Sequence, residues 1–288
     1  MNLYIPYRLA QIISRKLPHP FAYWLGMRLA DLFFLCDRKG RRAVMENLTQ
    51  ILRYQGRPPT PAQLTRMARR NFEHFGKYLV DFFRFARMRP DDVRRLVDME
   101  NFEYLAQARA HQKGVIIITA HFGNWELGGA IMTALGFTLS AVFQPERAHS
   151  VNRLFQQHRA GRGIHGIAMG QAARSVIKVL KNQGMAAMLA DRDFSPHHQP
   201  LEFFGARARL PSGPARLAMH IGAPILPIFI SRKTDDRFLM RCYPPILPAD
   251  CRTAEEIRRR ARDILQTEIG QNPLQWFMFD QFWRKEDL

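Results

Sequence analysis

The stretch "GVIIITAHFGNWELGG", Gly114 to Gly129, constrains the fold more than any other part of the chain. Val115 to Thr119 is an unbroken run of β-branched residues. A strand with one wet face alternates apolar and polar residues, whereas a strand covered on both faces is apolar throughout. The run therefore predicts a strand inside a layered sheet. It gives way at His121, and Glu126 follows five residues later. In open α/β sheets ligands bind beyond the carboxyl ends of the strands, so His121 falls where chemistry is expected. Asn124 is placed to cap a helix opening at Trp125, with Glu126 in its first turn.

Further short β-like runs follow: "LSAVFQ" (Leu139–Gln144), "GIAMG" (Gly166–Gly170), "GMAAMLAD" (Gly184–Asp191), "PILPIFIS" (Pro224–Ser231) and "FLMRCYPPI" (Phe238–Ile246). Helical stretches such as "QAARSVIKVLKNQ" and "TAEEIRRRARDILQTEIG" lie among and after them. This alternation predicts an α/β fold with a mixed, largely parallel central sheet flanked by helices.

Residues 1–96 read differently, as a helical and membrane-associating region ahead of an α/β core at 97–288. The clearest helix begins at Pro61, where Leu64, Met67, Phe72, Phe75, Leu79, Phe82 and Phe83 recur mostly at intervals of three and four. Thr60 is its expected cap. Arg66, Arg69, Arg70, Lys77 and Arg84 mark its other face, read either as solvated or as meeting lipid headgroups. "PFAYWLGMRLADLFFLC" (Pro20–Cys36) is apolar, but Arg28 and Asp31 interrupt it. Central charges argue against a span. An interfacial helix and an ordinary domain helix both fit, and no small-residue cleavage site follows to mark a signal.

Charge narrows the partners. Lys and Arg number 43 against 25 Asp and Glu, a net +18, which calls for a polyanion. Zinc-finger spacing and RNP-type segments are absent, so an anionic membrane surface or an acidic protein is expected rather than nucleic acid. Cys36, Cys242 and Cys251 form no CxxC and are read as structural thiols.

A neutral imidazole can take a proton from a hydroxyl that attacks a carbonyl. It does so best when a carboxylate bonds its other ring nitrogen. His121 and Glu126 could meet that way, with the substrate hydroxyl itself as nucleophile. A surface turn can hold the same pair; the strand end, the glycines and the capping Asn favour a site.

"AHFGNWELGG" resembles the His-x4-Glu/Asp motif of the bacterial lipid A late acyltransferases, the lauroyl and myristoyl acyltransferases that share a superfamily with lysophospholipid acyltransferases. "RRAVMENL", "NRLFQQHRAGRG", "LADRDFS", "FFG", "LPSGPARLA", "GAPILPIF" and "NPLQWFMFDQFW" resemble further family blocks in order along the chain. The resemblance implies a glycerolipid acyltransferase-like fold. It also implies transfer of an acyl chain from a thioester, carried by acyl carrier protein or coenzyme A, to a glycolipid hydroxyl. His121 would be the base and Glu126 its partner. Asn124, Asn152, Arg159, Asp191 and Arg192 would contact substrate, Arg159 through a phosphate or the oxyanion. No cofactor is expected. The implied location is the cytoplasmic face of a bacterial inner membrane, peripheral or monotopic. "RLPSGPARLA", with "DRDF" and "FFG", is closer to the mannoside acyltransferases of mycobacterial phosphatidylinositol glycolipids, although those tend to have Asp where this chain has Glu126. A thioesterase and a non-catalytic lipid-binding protein are the rival readings.

Three other motifs carry less. "GRGIHG" (Gly161–Gly166) has dinucleotide spacing but follows a helix instead of a strand. "SVIK" (Ser175–Lys178) lacks the companion motifs of a serine acyl-enzyme, and no GxSxG occurs. The pair His197 and His198 lacks metal-ligand spacing.

Overall fold

The β-branched run forms β2 (Val115–Thr119), and its residues divide between two cores. In the computed structural model, which describes residues 10–12, 14–84, 89–145, 149–193 and 200–283, Ile116 and Ile118 face one apolar cluster. Val115 and Ile117 face the other. That two-sided burial is why no polar residue interrupts the run. His197 and His198 lie outside the described residues.

The main sheet runs in the order β1 (Val97–Glu100), β9 (Phe238–Cys242), β8 (Ile225–Arg232), β2, β5 (Met185–Leu189), β3 (Leu139–Phe143) and β4 (Ile164–Ala168). Neighbours are parallel except β8 and β9. The sheet is thus mixed and largely parallel, as the sequence predicts. One face is covered by α8 (Ala172–Lys181), α9 (Gly213–Ile221) and α10 (Ala254–Gln271) through Val176, Leu180, Ala215, Ala218, Ile257 and Leu265. The other is covered by α5 (Glu103–Ala110) and α6 (Trp125–Ala134) through Leu105, Ala108, Leu127 and Ile131. The helix α7 (His149–Gly161) leads into β4.

Two features depart from the expected pattern. The strand expected at Gly166–Gly170 starts at Ile164, because Gly163 turns the chain with φ +76° directly after α7. The edge strand β1 and the hairpin of β6 (Leu201–Phe203) and β7 (Ala206–Ala208) were too short to show a period.

Ahead of the sheet stand α1 (His19–Cys36), α2 (Arg38–Tyr54), α3 (Pro61–Arg84) and α4 (Pro90–Leu96). Thr60 caps α3 as expected. Its hydroxyl accepts from Gln63 N–H at 3.3 Å, and the Gln63 side chain accepts from Thr60 N–H at 3.0 Å, a reciprocal capping box. Where α1 crosses α3, glycines meet: a Cβ on Gly76 would lie 2.6 Å from the Gly26 carbonyl oxygen. Asp31 pairs with Arg69 at 2.6 Å and with Arg28 at 3.0 Å, so the charges that interrupt the apolar helix are turned toward α3. Half or more of Trp24, Leu29, Leu32, Phe33 and Leu35 is left exposed on α1.

The basic face expected on α3 is partly spent inside the molecule. Lys77 binds Asp236 at 2.7 Å, and Arg84 donates to the carbonyls of Ser14 and Leu17, both at 2.9 Å. Asn47 and Asn71 then stitch the helices to the far end of the chain, donating to the carbonyls of Met278, Asp280, Leu274 and Trp276.

Candidate active site

His121 and Asp191 are seventy positions apart, and the sheet register brings them together. β2 and β5 are adjacent and parallel, with Thr119 opposite Leu189. Ala190 N–H then bonds the Thr119 carbonyl at 2.8 Å. Two residues beyond each strand end, the His121 ring Nδ1 lies 2.9 Å from Asp191 Oδ1, and His121 N–H donates to Asp191 Oδ2 at 2.9 Å. Trp276 Nε1 donates to the same Oδ2 at 2.9 Å.

Asp191 has no exposed side chain. Burial pushes its pKa up, but the neighbouring imidazole and the three donated hydrogen bonds outweigh that and hold it below the ordinary aspartate range. An ionised Asp191 can only accept, so in the neutral ring it is Nδ1 that carries the proton and Nε2 that keeps a lone pair. Among the described residues no side chain occupies Nε2, and about a fifth of the imidazole is exposed.

The loop after β2 is fixed on three sides. Gly123 has φ +58°, and a Cβ there would stand 1.7 Å from the Ile230 carbonyl oxygen, so only glycine fits. Gly123 N–H bonds the Gln275 carbonyl at 2.8 Å, Asn124 N–H bonds that of Ile230 at 2.9 Å, and Phe277 N–H bonds that of His121 at 2.7 Å. The Trp125 ring stands edge-on to the imidazole, 5.3 Å between centroids.

Glu126 is not the carboxylate that holds the imidazole, contrary to the expectation from the sequence. It lies in the first turn of α6, and its oxygens are taken by Arg159 Nε at 3.0 and 3.3 Å. Arg162 Nη1 stands 3.9 Å away. Burial raises the Glu126 pKa, but the two guanidiniums and the nearby imidazole more than reverse that, and it lies below the ordinary glutamate range. Two guanidiniums thus face this one carboxylate. Arg159 is correspondingly held by Glu126 along its Nε edge, with its guanidinium 5.5 Å from the Phe143 ring centroid.

Asn124 is a second correction. Its Oδ1 accepts from Leu127 N–H at 3.1 Å, capping α6, and its Nδ2 donates to Asp81 at 3.0 Å. Only 1% of it is exposed, so its side chain offers substrate nothing. Asp81 also accepts from Tyr23 Oη at 2.6 Å and pairs with Arg232, tying α1 and α3 to the loop. Asn152 lies on α7, two turns before Arg159, and bonds none of His121, Asp191 or Glu126 among the described residues. Arg192, next to Asp191, pairs with Asp280 and stays part-exposed.

Sequence reasoning missed Arg162, Gln275 and Trp276. The signal for the last two is the block "NPLQWF", whose polar residues stand between apolar ones. Among the described residues no three His, Cys, Asp or Glu side chains gather where a metal could be held.

With this geometry in place, comparison with known proteins becomes informative. A family model described as bacterial lipid A biosynthesis acyltransferase matches residues 7–285. The phosphatidylinositol mannoside acyltransferase of Mycobacterium tuberculosis (strain CDC 1551 / Oshkosh) is 26% identical over 255 residues, covering 85% of this chain and 77% of that protein. The lipid A biosynthesis palmitoleoyltransferase of Escherichia coli (strain K12) is 25% identical over 226 residues, covering 76% and 71%. The crystal structure of the 1-acyl-sn-glycerophosphate acyltransferase of Thermotoga maritima covers 88% of this chain and 97% of that one, at 13% identity and a TM-score of 0.41, too distant a likeness to argue from.

Proposed function

This chain belongs to the bacterial lipid A biosynthesis acyltransferase family, and from that premise we propose that it transfers a fatty acyl chain from an acyl thioester to a hydroxyl of a membrane glycolipid, with His121 as general base. The observation that carries this reading is the His121–Asp191–Trp276 arrangement. It leaves Nε2 without a side-chain partner among the described residues, on an imidazole about a fifth exposed, at the edge of the sheet where ligands bind.

The acceptor O–H would give its proton to Nε2 as its oxygen attacks the thioester carbonyl. Asp191 would stabilise the imidazolium through Nδ1–H. The tetrahedral intermediate would collapse with loss of the thiolate, which takes the proton back from the imidazolium as it leaves. The guanidiniums of Arg159 and Arg162 around Glu126 would favour the oxyanion, a role for Arg159 exerted through the cluster. Donor carriers fitting the thioester chemistry are acyl carrier protein and coenzyme A.

The family points to a lipid A-type acceptor. A phosphatidylinositol mannoside-type acceptor is the second reading, favoured by the mycobacterial relative's coverage of most of the chain. Association with the cytoplasmic face of an inner membrane is supported by the exposed apolar residues of α1 and the net +18. No helix among the described residues is long and apolar enough to cross a membrane. The test is incubation of the purified chain with labelled acyl thioester and a bacterial total lipid extract. Labelled glycolipid is expected. Thioester loss without labelled lipid would make it a thioesterase, and no reaction with either carrier would leave a lipid-binding protein. Mass spectrometry of the labelled product would name the acceptor.

A further inference from the structure

The outer face of α2 lines a cavity of about 610 Å³ that the proposed chemistry does not use. That volume falls within the range of small-ligand sites. Arg38, Arg41, Arg42 and Arg53 stand around it, with Glu46 and Gln50 between them. Arg42 pairs with Glu46 at 2.7 Å. Arg38 and Arg53 have no carboxylate partner among the described residues, and Arg41 spends its Nη1 on the carbonyls of Phe34 and Leu35 at 2.8 and 3.2 Å. Four guanidiniums against one carboxylate leave the groove strongly positive. Gln50 donates Nε2 to the Phe204 carbonyl at 2.8 Å, which leaves its Oε1 as an acceptor.

Two neighbours say what kind of anion fits. On one side the groove adjoins α1, since Arg41 closes the last turn of that helix, whose Leu32, Phe33 and Leu35 are more than half exposed. On its inner side α2 is tied to the C-terminal segment that also supplies Trp276 to the candidate active site. Gln281 bonds Glu46, Asn47 bonds the carbonyls of Met278 and Asp280, and Asp280 pairs with Arg192, the residue after Asp191. A positive groove beside an apolar surface, with the acceptor groups of Glu46 and Gln50 in it, suits a ligand with apolar chains, a phosphate and ring hydroxyls. We propose that the α2 groove binds the phosphorylated sugar headgroup of the acceptor lipid. The arginines take the phosphate, and Glu46 and Gln50 take ring hydroxyls. A water-soluble nucleotide handle on the donor would gain nothing from the apolar surface of α1.

This assignment rests on the acyltransferase reading, and the experiment separates the two. The full chain is floated with phosphatidylcholine vesicles containing either phosphatidylinositol or an equal charge of phosphatidylglycerol, which has no ring. The native chain is expected to prefer the inositol lipid. Arg38→Gln/Arg53→Gln, at two exposed positions, should cut inositol-lipid binding on the order of tenfold, the loss expected of charge-assisted hydrogen bonds. Phosphatidylglycerol, which has no ring by which Glu46 and Gln50 could hold its phosphate against the arginines, should lose less. Equal loss on both lipids would reduce the groove to general charge attraction, and loss on neither would remove it as a site; both overturn the proposal. In the turnover assay the variant should raise KM for the lipid acceptor and leave KM for the thioester alone. A rise confined to the thioester would assign the groove to the donor and also overturn it. If the native chain transfers no acyl group, the acyltransferase reading fails while the vesicle comparison still decides the groove.

Discussion

Asp191 and Glu126 are both carboxylates removed from water, both kept ionised against burial, and both close enough to feel the charge of His121. They differ in their partners. Asp191 faces an imidazole, an indole N–H and a backbone amide, none of which carries a permanent charge. Glu126 faces two guanidiniums that are always charged. A buried carboxylate against permanent cations is already neutralised, and breaking such a pair leaves an unpaired buried charge. A buried carboxylate against a neutral imidazole is compensated fully only when the imidazole takes a proton. Depth and pKa direction therefore do not distinguish a structural carboxylate from a working one; the ability of its partner to change charge does.

The comparison makes its sharpest claim about rate. His121→Ala should lower kcat by about 10²–10⁴-fold, the range of a general base. Circular dichroism and Tm should stay close to native, because the ring is part-exposed. Asp191→Asn should come close behind, by about 10³-fold or more, since an amide can no longer fix the Nδ1–H tautomer or stabilise an imidazolium. Near-native turnover of Asp191→Asn, with Glu126→Gln as inactive as His121→Ala at unchanged Tm, would reverse the two roles.

Next comes stability, where the order should invert. Glu126→Gln removes the carboxylate that Arg159 bonds and that stands 3.9 Å from the almost wholly buried guanidinium of Arg162. Breaking a buried pair is worth about 3–5 kcal/mol, a fall in Tm of roughly ten degrees in a chain of this size. Both carboxylates have folded-state pKa values below their unfolded ones. The stability each contributes is complete above the unfolded value near 4 and is lost as pH falls through the folded value. Urea unfolding of the native chain should therefore lose stability as pH falls below about 4, and Glu126→Gln should lose less over the same range. An acid dependence as steep as native in that variant would mean that Glu126 is not the stabilising carboxylate.

The sheet could be read from the chain because its central strand is β-branched and buried on both sides, a pattern local to five residues. The cap at Thr60 was equally local. The partner of His121 was not. It depends on β2 lying beside β5 in one register, which no spacing near residue 121 encodes. Glu126 was the nearest carboxylate in sequence, but α6 turns it toward Arg159. Asn124 was correctly read as a cap, and its burial in that place keeps it from the substrate contact also expected of it. Arg28 and Asp31 looked like interruptions of an apolar helix because their partners across the crossing, Glu73 for Arg28 and Arg69 for Asp31, lie on another helix.

The smallest effect tests the finest part of the comparison, the indole that marks Asp191 off from Glu126. Trp276 is 3% exposed, and its Nε1 shares Asp191 Oδ2 with the His121 amide. Trp276→Phe keeps most of the apolar volume and removes one hydrogen bond to a charged group, worth about 1.5–3 kcal/mol. The Asp191 carboxylate still accepts from His121 N–H and Nδ1–H, so it keeps its place but is less firmly oriented. kcat should drop on the order of tenfold with KM for either substrate unchanged, a split that loose packing alone does not produce. A drop as deep as that of Asp191→Asn would mean that the indole, more than the backbone amide, orients the carboxylate. An unchanged kcat would mean that the amide suffices, and that the indole serves the packing around Phe203 and Phe282.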